Sequence, residues 1–222
     1  FCGAMIPDLQ KTFQKPVMIG EFGWITDFVR QIDREGIHFH DGLWASVMGG
    51  ATGSALVWYW DTYVHPNQLH RHFQPLAMFW RGERINAPLQ RLELSLSDPD
   101  VVACGVGTPQ RAYVWMKNRT HNFDQYLAYR CEQAKQRLQE ARGQSAQPVL
   151  RYPPRMIQGA KATVGGLALV GRYRVEWWDP YRGQVLKTQI NRVHWGTLTL
   201  DVPEMTFDVA GKLTRVPWWE GN

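Results

Sequence analysis

A carboxylate at the end of an apolar run is the first feature of this sequence that could do chemistry. In Lys15-Pro16-Val17-Met18-Ile19-Gly20-Glu21-Phe22-Gly23, residues 17–20 show no polar alternation, which reads as a short strand buried on both faces. Glu is among the residues least often buried, so a Glu directly after such a run needs a reason. The plain reason is a salt bridge at a loop start. The chemical reason is a nucleophile or proton-transfer group aimed from a strand end, and strand parity sets Val17, Ile19 and Glu21 on one side. Flat aromatic surfaces lie near it in sequence: Trp24, Trp58 and Trp60 are three of eleven Trp residues. An indole face can seat a sugar ring, although most Trp in a folded chain serve packing. His40 is a further hydrogen-bonding candidate for the same site. The His38/His40 and His70/His72 pairs lack a third His or a carboxylate at ligand spacing, so no metal is expected, and no cofactor motif is present.

These groups must be positioned by the elements around them. Residues 4–14 read as the end of a helix, which Lys15-Pro16 stops because Pro disfavours the helical region for its predecessor. Residues 40–49 read as a second helix closed by glycines. Ser54 to Trp60 is another apolar, β-branched and aromatic run, ending at Asp61. Strand, loop, helix, strand is the order expected of a parallel α/β sheet or barrel. The pattern changes near residue 90. Residues 91–96, 111–116, 173–178 and 197–202 alternate with period two, which predicts antiparallel strands forming a β-sandwich or small barrel. Asp179-Pro180-Tyr181-Arg182-Gly183 reads as a turn between two of them. One helical interruption is expected at 124–142, with Leu127, Cys131, Ala134 and Leu138 on its inward face. Gly143 to Pro154 reads as a linker.

Composition narrows the classes. With 44% hydrophobic and 20% charged residues in 222, the chain is long and apolar enough to build a core. Residues 1–90 hold seven Lys+Arg against eight Asp+Glu, whereas 91–222 hold eighteen against twelve, so the net charge of +5 resides in the second part. The basic stretch 111–161 carries no nucleic-acid motif and reads as a solvated face. No run reaches transmembrane length, so neither a nucleic-acid nor a membrane partner is expected. Three cysteines, Cys2, Cys104 and Cys131, suggest neither a disulfide framework nor a zinc site.

The motifs also resemble a known family. Residues 15–23 resemble the seventh-strand nucleophile segment of the large (β/α)8-barrel clan of retaining glycoside hydrolases that includes family five. Gly42 to Asp61 is similar to that clan's seventh helix and eighth strand, and Trp60 or Trp58 matches the Trp that stacks under the sugar. Leu167 to Gly183 and Leu198 to Val209 resemble the small C-terminal β domain of a bacterial cellulase-like branch. The resemblance implies a TIM-barrel portion at 1–90, a β-sandwich at 91–222 with a helical insertion near 123–143, and a β-linked poly- or oligosaccharide as substrate. It implies Glu21 as nucleophile and Trp60, Trp58, Trp24 and His40 as substrate-binding residues. It further implies a secreted or extracytoplasmic bacterial setting, no cofactor, and a general acid/base Glu expected before Phe1, so the sequence reads as a fragment. The alternative reading is a non-catalytic carbohydrate-binding or scaffold protein that keeps only the aromatic platform.

Overall fold

The computed structural model describes residues 5–23, 31–83, 88–145, 152 and 155–219. Its centre is a six-stranded antiparallel sheet of order β1-β3-β4-β9-β6-β7, where β1 is Gln90–Arg91, β3 Val101–Thr108, β4 Arg111–Asn118, β6 Val170–Asp179, β7 Gln184–His194 and β9 Asp208–Val216. A three-stranded antiparallel sheet, β2 (Leu94–Leu96), β5 (Lys161–Val164) and β8 (Leu198–Asp201) in the order β2-β5-β8, completes a sandwich. Period-two alternation explains the layer between them. Ala112, Val114 and Met116 of β4, Tyr173, Val175 and Trp177 of β6 and Leu213 of β9 meet Ala162, Val164, Leu198 and Leu200 in one apolar core. The β6–β7 turn is closed by Asp179, whose Oδ1 accepts from the amides of Tyr181 and Arg182 at 2.8 and 3.0 Å. Gly183 leaves the turn at φ 67°, a conformation that favours glycine.

Four helices are fully described beside the sheets: α1 (Met5–Phe13), α2 (Ile37–Met48), α3 (Phe73–Trp80) and α4 (Phe123–Ala141). The first three precede the sandwich. The outer face of the large sheet is aromatic rather than polar at Tyr113, Trp115 and Trp178, and α2 and α3 settle there. Phe39, Leu43, Trp44 and Met48 from α2 and Leu76 and Phe79 from α3 share a second core with Val106, Tyr113, Trp115 and Ala210. Central strand β4 is consequently buried on both faces, although its neighbours are antiparallel.

The expected (β/α)8-barrel portion is overturned. Among the described residues every strand lies beyond residue 89, and every ladder is antiparallel. The two segments assigned to barrel strands meet at a single parallel bridge, Phe22 opposite Val57. The physical reason lies in their sides. A parallel barrel strand is paired on both edges and covered on both faces, but Met18 is 68% exposed while Ile19 is 8% exposed, so the run 17–20 buries one side only. The second run leaves the extended conformation at Trp60, where a single π turn, Trp60–Val64, begins.

Helix α4 also corrects an expectation. It forms over nearly the predicted span, with the Asn122 side chain accepting from the Gln125 amide at 2.9 Å as its N-cap. Its inward residues are Phe123 and Tyr126, whereas Cys131, Ala134 and Leu138 are exposed. The four-three spacing marked a real apolar stripe, but among the described residues its cover is confined to the N-terminal part of the helix, where Leu127 is half-buried and Tyr129 stacks on Tyr152.

Candidate functional site

Two short segments build an open hollow that contains Glu21, the sequence-predicted catalytic residue. The first is 17–23, anchored by the Thr52 amide donating to the Val17 carbonyl at 2.9 Å. The second is 54–58, joined to the first by Phe22 N–H to the Leu56 carbonyl at 2.9 Å and Trp58 N–H to the Phe22 carbonyl at 3.1 Å. Where they part, Gly20, Glu21, Leu56, Val57, Trp58, Tyr59, Trp60, Asp61 and Thr62 line an open cavity of about 550 Å³. Glu21 is exposed there, and Trp58 and Trp60 stand 58% and 67% exposed. Large indoles left in water at this level are the informative kind of exposure. The structure thus brings Glu21, Trp58 and Trp60 together. It adds Asp61, which sequence reasoning used only as the end of a run, and whose Oδ1 accepts from the Thr62 amide at 2.8 Å.

The wall is held from behind by close packing on α2. A methyl at Gly42 would come within 2.1 Å of the Phe22 ring, so glycine is what lets Phe22 lie against the helix and fixes its neighbour Glu21 at the rim. The π turn that carries Trp60 and Asp61 is pinned by Tyr63. Its hydroxyl donates to Asp33 Oδ2 at 2.9 Å. Asp33 is fully buried and also accepts from the amides of Ile37 and His38 at 2.8 and 3.0 Å, with His38 Nδ1 2.5 Å away. Burial alone would raise the Asp33 carboxyl, but the His38 ring and the two amides outweigh it and hold the group below its usual range. Burial and the Asp33 charge push the Tyr63 phenol far upward, so it stays a donor. One carboxylate therefore ties the start of α2 to the turn bearing the aromatic wall. Asp33 was not singled out in the sequence; an Asp ahead of a Gly that opens a helix was the available signal.

His40 does not line the hollow. It is fully buried, with Nε2 2.7 Å from Asp208 Oδ2 and its ring stacked on Tyr181 at 4.0 Å between centroids. Its Nδ1 lies 3.2 Å from His72 Nδ1. His72 Nε2 is 2.9 Å from the Glu35 carbonyl, which can only accept, so that nitrogen carries the proton and Nδ1 receives one from His40. Burial and the nearby His40 push His72 down to about 4. The expected active-site histidine is instead part of the seam between α2 and β9, because position 40 falls on the helix face turned to the sheet. Lys117 Nζ and Asp41 Oδ1, 2.5 Å apart, extend the same seam. Burial raises the Asp41 carboxyl despite Lys117 beside it. Trp24, the remaining expected contact, lies outside the described residues. Among the described residues no group of three His, Cys, Asp or Glu side chains is arranged to hold a metal ion, and no helix is long and apolar enough to cross a membrane.

What the arrangement offers is one carboxylate and two broad indole faces at the rim of an open cavity, mounted on a turn that a buried Asp fixes in place. No protein-family model matches the chain, and no curated protein matches it either, so these residues are what a functional reading has to be built on.

Proposed function

We propose that this chain supplies the nucleophile-bearing wall of a retaining glycoside hydrolase acting on a β-linked poly- or oligosaccharide. The observation that supports the reading is the shared cavity of Glu21, Trp58 and Trp60. In such a reaction the Glu21 carboxylate attacks the anomeric carbon while a second carboxyl group protonates the departing oxygen. The glycosyl ester is then hydrolysed by water, and two inversions give net retention. Trp58 and Trp60 seat the sugar's apolar face, which leaves its hydroxyls free to face polar groups. The exposed Glu21 needs no burial to serve as an attacking group, since the arriving sugar itself excludes water from the cavity.

The test separates the nucleophile from the proton donor. A 2,4-dinitrophenyl 2-deoxy-2-fluoro-β-glycoside carries a leaving group that departs without protonation, and its fluorine slows ester breakdown. Incubation with a panel of such glycosides should add one fluoroglycosyl mass to the protein, and peptide mapping should place it on Glu21. Glu21→Gln should abolish labelling, because an amide is a poor nucleophile of nearly the same shape. Labelling at another carboxylate would sink the assignment. Failure of every glycoside to label, combined with sugar-induced quenching of tryptophan fluorescence that Trp60→Ala removes, would instead support the non-catalytic carbohydrate binder.

A further inference from the structure

A second surface, remote in sequence from Glu21, carries features of a binding site. Strand β7 returns to β8 through the two-residue turn Trp195-Gly196, closed by the His194 amide on the Thr197 carbonyl at 2.9 Å and the reverse bond at 3.0 Å. Both central residues take positive φ, 49° for Trp195 and 76° for Gly196. Such turns select Asn or Gly at the first position, and a bulky L-residue there is strained. The strained residue is also 85% exposed, above every other large apolar side chain described. A costly backbone that holds an indole out in water points to a use for the indole.

The neighbours support one. Val170 is paired with His194, and the Gly196 amide donates to the Leu169 carbonyl at 3.2 Å. On the other side of β6, Arg172 Nη1–H donates to the Trp218 carbonyl at 2.9 Å, which lays the chain beyond β9 alongside β6. Trp218 and Trp219, 76% and 63% exposed, therefore share this end of the sheet with Trp195, and Leu169 and Val170 are exposed with them. At about 4.8 Å per strand the row crosses β9, β6 and β7, a span of roughly 10 Å. The segments that form it, 168–175, 189–197 and 213–219, hold four Arg and no Asp or Glu. Two of those, Arg172 and Arg192, sit directly opposite each other in register, which concentrates positive charge on this edge of the sheet.

We propose that this end of the sandwich binds an acidic polysaccharide, with Trp195 and Trp218 stacking on sugar rings and the exposed Arg192 pairing with a uronate carboxylate. Guanidinium matches carboxylate geometry with two parallel hydrogen bonds, and the planar indoles give the chain a surface to lie on. A lipid surface fits less well, because a two-residue turn has no loop to insert and the apolar side chains lie along the sheet end. The site stands independently of the Glu21 reading.

The experiment is affinity electrophoresis of the intact chain in gels containing polygalacturonic acid, with neutral hydroxyethyl cellulose as control. Sedimentation with phosphatidylserine-containing vesicles runs in parallel. Polygalacturonate should retard the protein more strongly than the neutral polymer, and added salt should weaken the effect. Trp195→Asn is the decisive variant. Asn-Gly suits the turn, so the melting temperature should hold or rise, yet affinity should fall at least tenfold although the net charge is unchanged. Arg192→Glu should cost at least a further severalfold. Equal retardation of the wild type and Trp195→Asn would overturn the proposal, because it would reduce the effect to the chain's overall positive charge. Absence of retardation, or vesicle binding lost on Trp195→Asn without polygalacturonate binding, would overturn it as well.

Discussion

The sandwich and the segment before it solve the same problem, burial of apolar residues, with unequal success. In β4 every residue from Ala112 to Asn118 is buried, because the strand has a ladder on each edge, a sheet below and helices above. In the run 17–23 the described residues supply one extended neighbour, through one parallel bridge, and Met18 faces solvent. Leu56, Trp58 and Trp60 are exposed beside it. Apolar content alone therefore does not make a core strand; a partner on each edge and each face does. The same incompleteness leaves Glu21 and two indoles accessible at a cavity rim, whereas β4 keeps Ala112 to Asn118 buried.

Hydrogen exchange should show that contrast most strongly. Amides of β4 should exchange only through global opening, while those of Phe22 and Trp58 exchange through local opening. The rates should differ by a factor on the order of a thousand or more, since local openings cost a few kcal/mol less than the whole fold. Comparable protection at both places would break the comparison. Core truncation comes next. Trp177→Ala empties the centre of the sandwich and should destabilise by about 3–5 kcal/mol in urea unfolding. Between the two regions lies Glu83, whose carboxylate accepts from Tyr113 Oη–H at 2.7 Å and from Lys212 Nζ at 2.9 Å and pairs with Arg111. Glu83→Gln leaves Lys212 buried without its counter-charge and should cost about 3 kcal/mol. It should also release the helices from the sheet, read as faster exchange in α3 than in β6.

Acidification tests the same seam with a smaller effect. Burial would raise Glu83, but hydrogen bonds from Arg111, Tyr113 and Lys212 outweigh it and hold the carboxyl below its ordinary range. Asp208 behaves likewise: burial opposes, and His40, Lys117 and Trp115 prevail. Asp33 completes the set. A carboxyl depressed by folding contributes stability above its unfolded pKa, and that contribution is lost as pH falls through the folded value. Asp41, raised by burial, has the opposite sign and loses its contribution as pH rises. Three depressed groups against one raised group predict a lower urea midpoint at pH 3 than at pH 5. An unchanged midpoint would show that the seam contributes little. The smallest effect is expected at the uncovered run. Met18→Gln should change stability by less than about 0.5 kcal/mol, because the side chain already stands in water.

Much of the β portion can be read directly from the residues. Ala112, Val114 and Met116, and Tyr173, Val175 and Trp177, declare their shared face by alternation alone, and Asp179 to Gly183 declares its turn, because each of these signals is local. The same is true of the extent of α4, with Asn122 as its cap. Glu21, Trp58 and Trp60 were identifiable as a candidate set from residue type and from a resemblance, and their meeting in one cavity required only that two short segments lie side by side.

What lay beyond the sequence was the identity of each segment's neighbours. The alternation of apolar runs with a helix is the same whether the runs pair in a barrel or lean on an antiparallel sheet, and here helices α2 and α3 cover the Tyr113, Trp115 and Trp178 face instead. His40 shows the consequence for a single residue. Its type and position near a helix start suited a substrate contact, yet Asp208, which receives it, is 168 positions away. The sequence determined the alternating strands of the sandwich, the turn at Asp179 to Gly183 and the extent of α4, because these depend on contacts a few residues apart. Only the tertiary structure decided which faces meet and which are left open to a ligand, because those choices are made by residues brought together from distant parts of the chain.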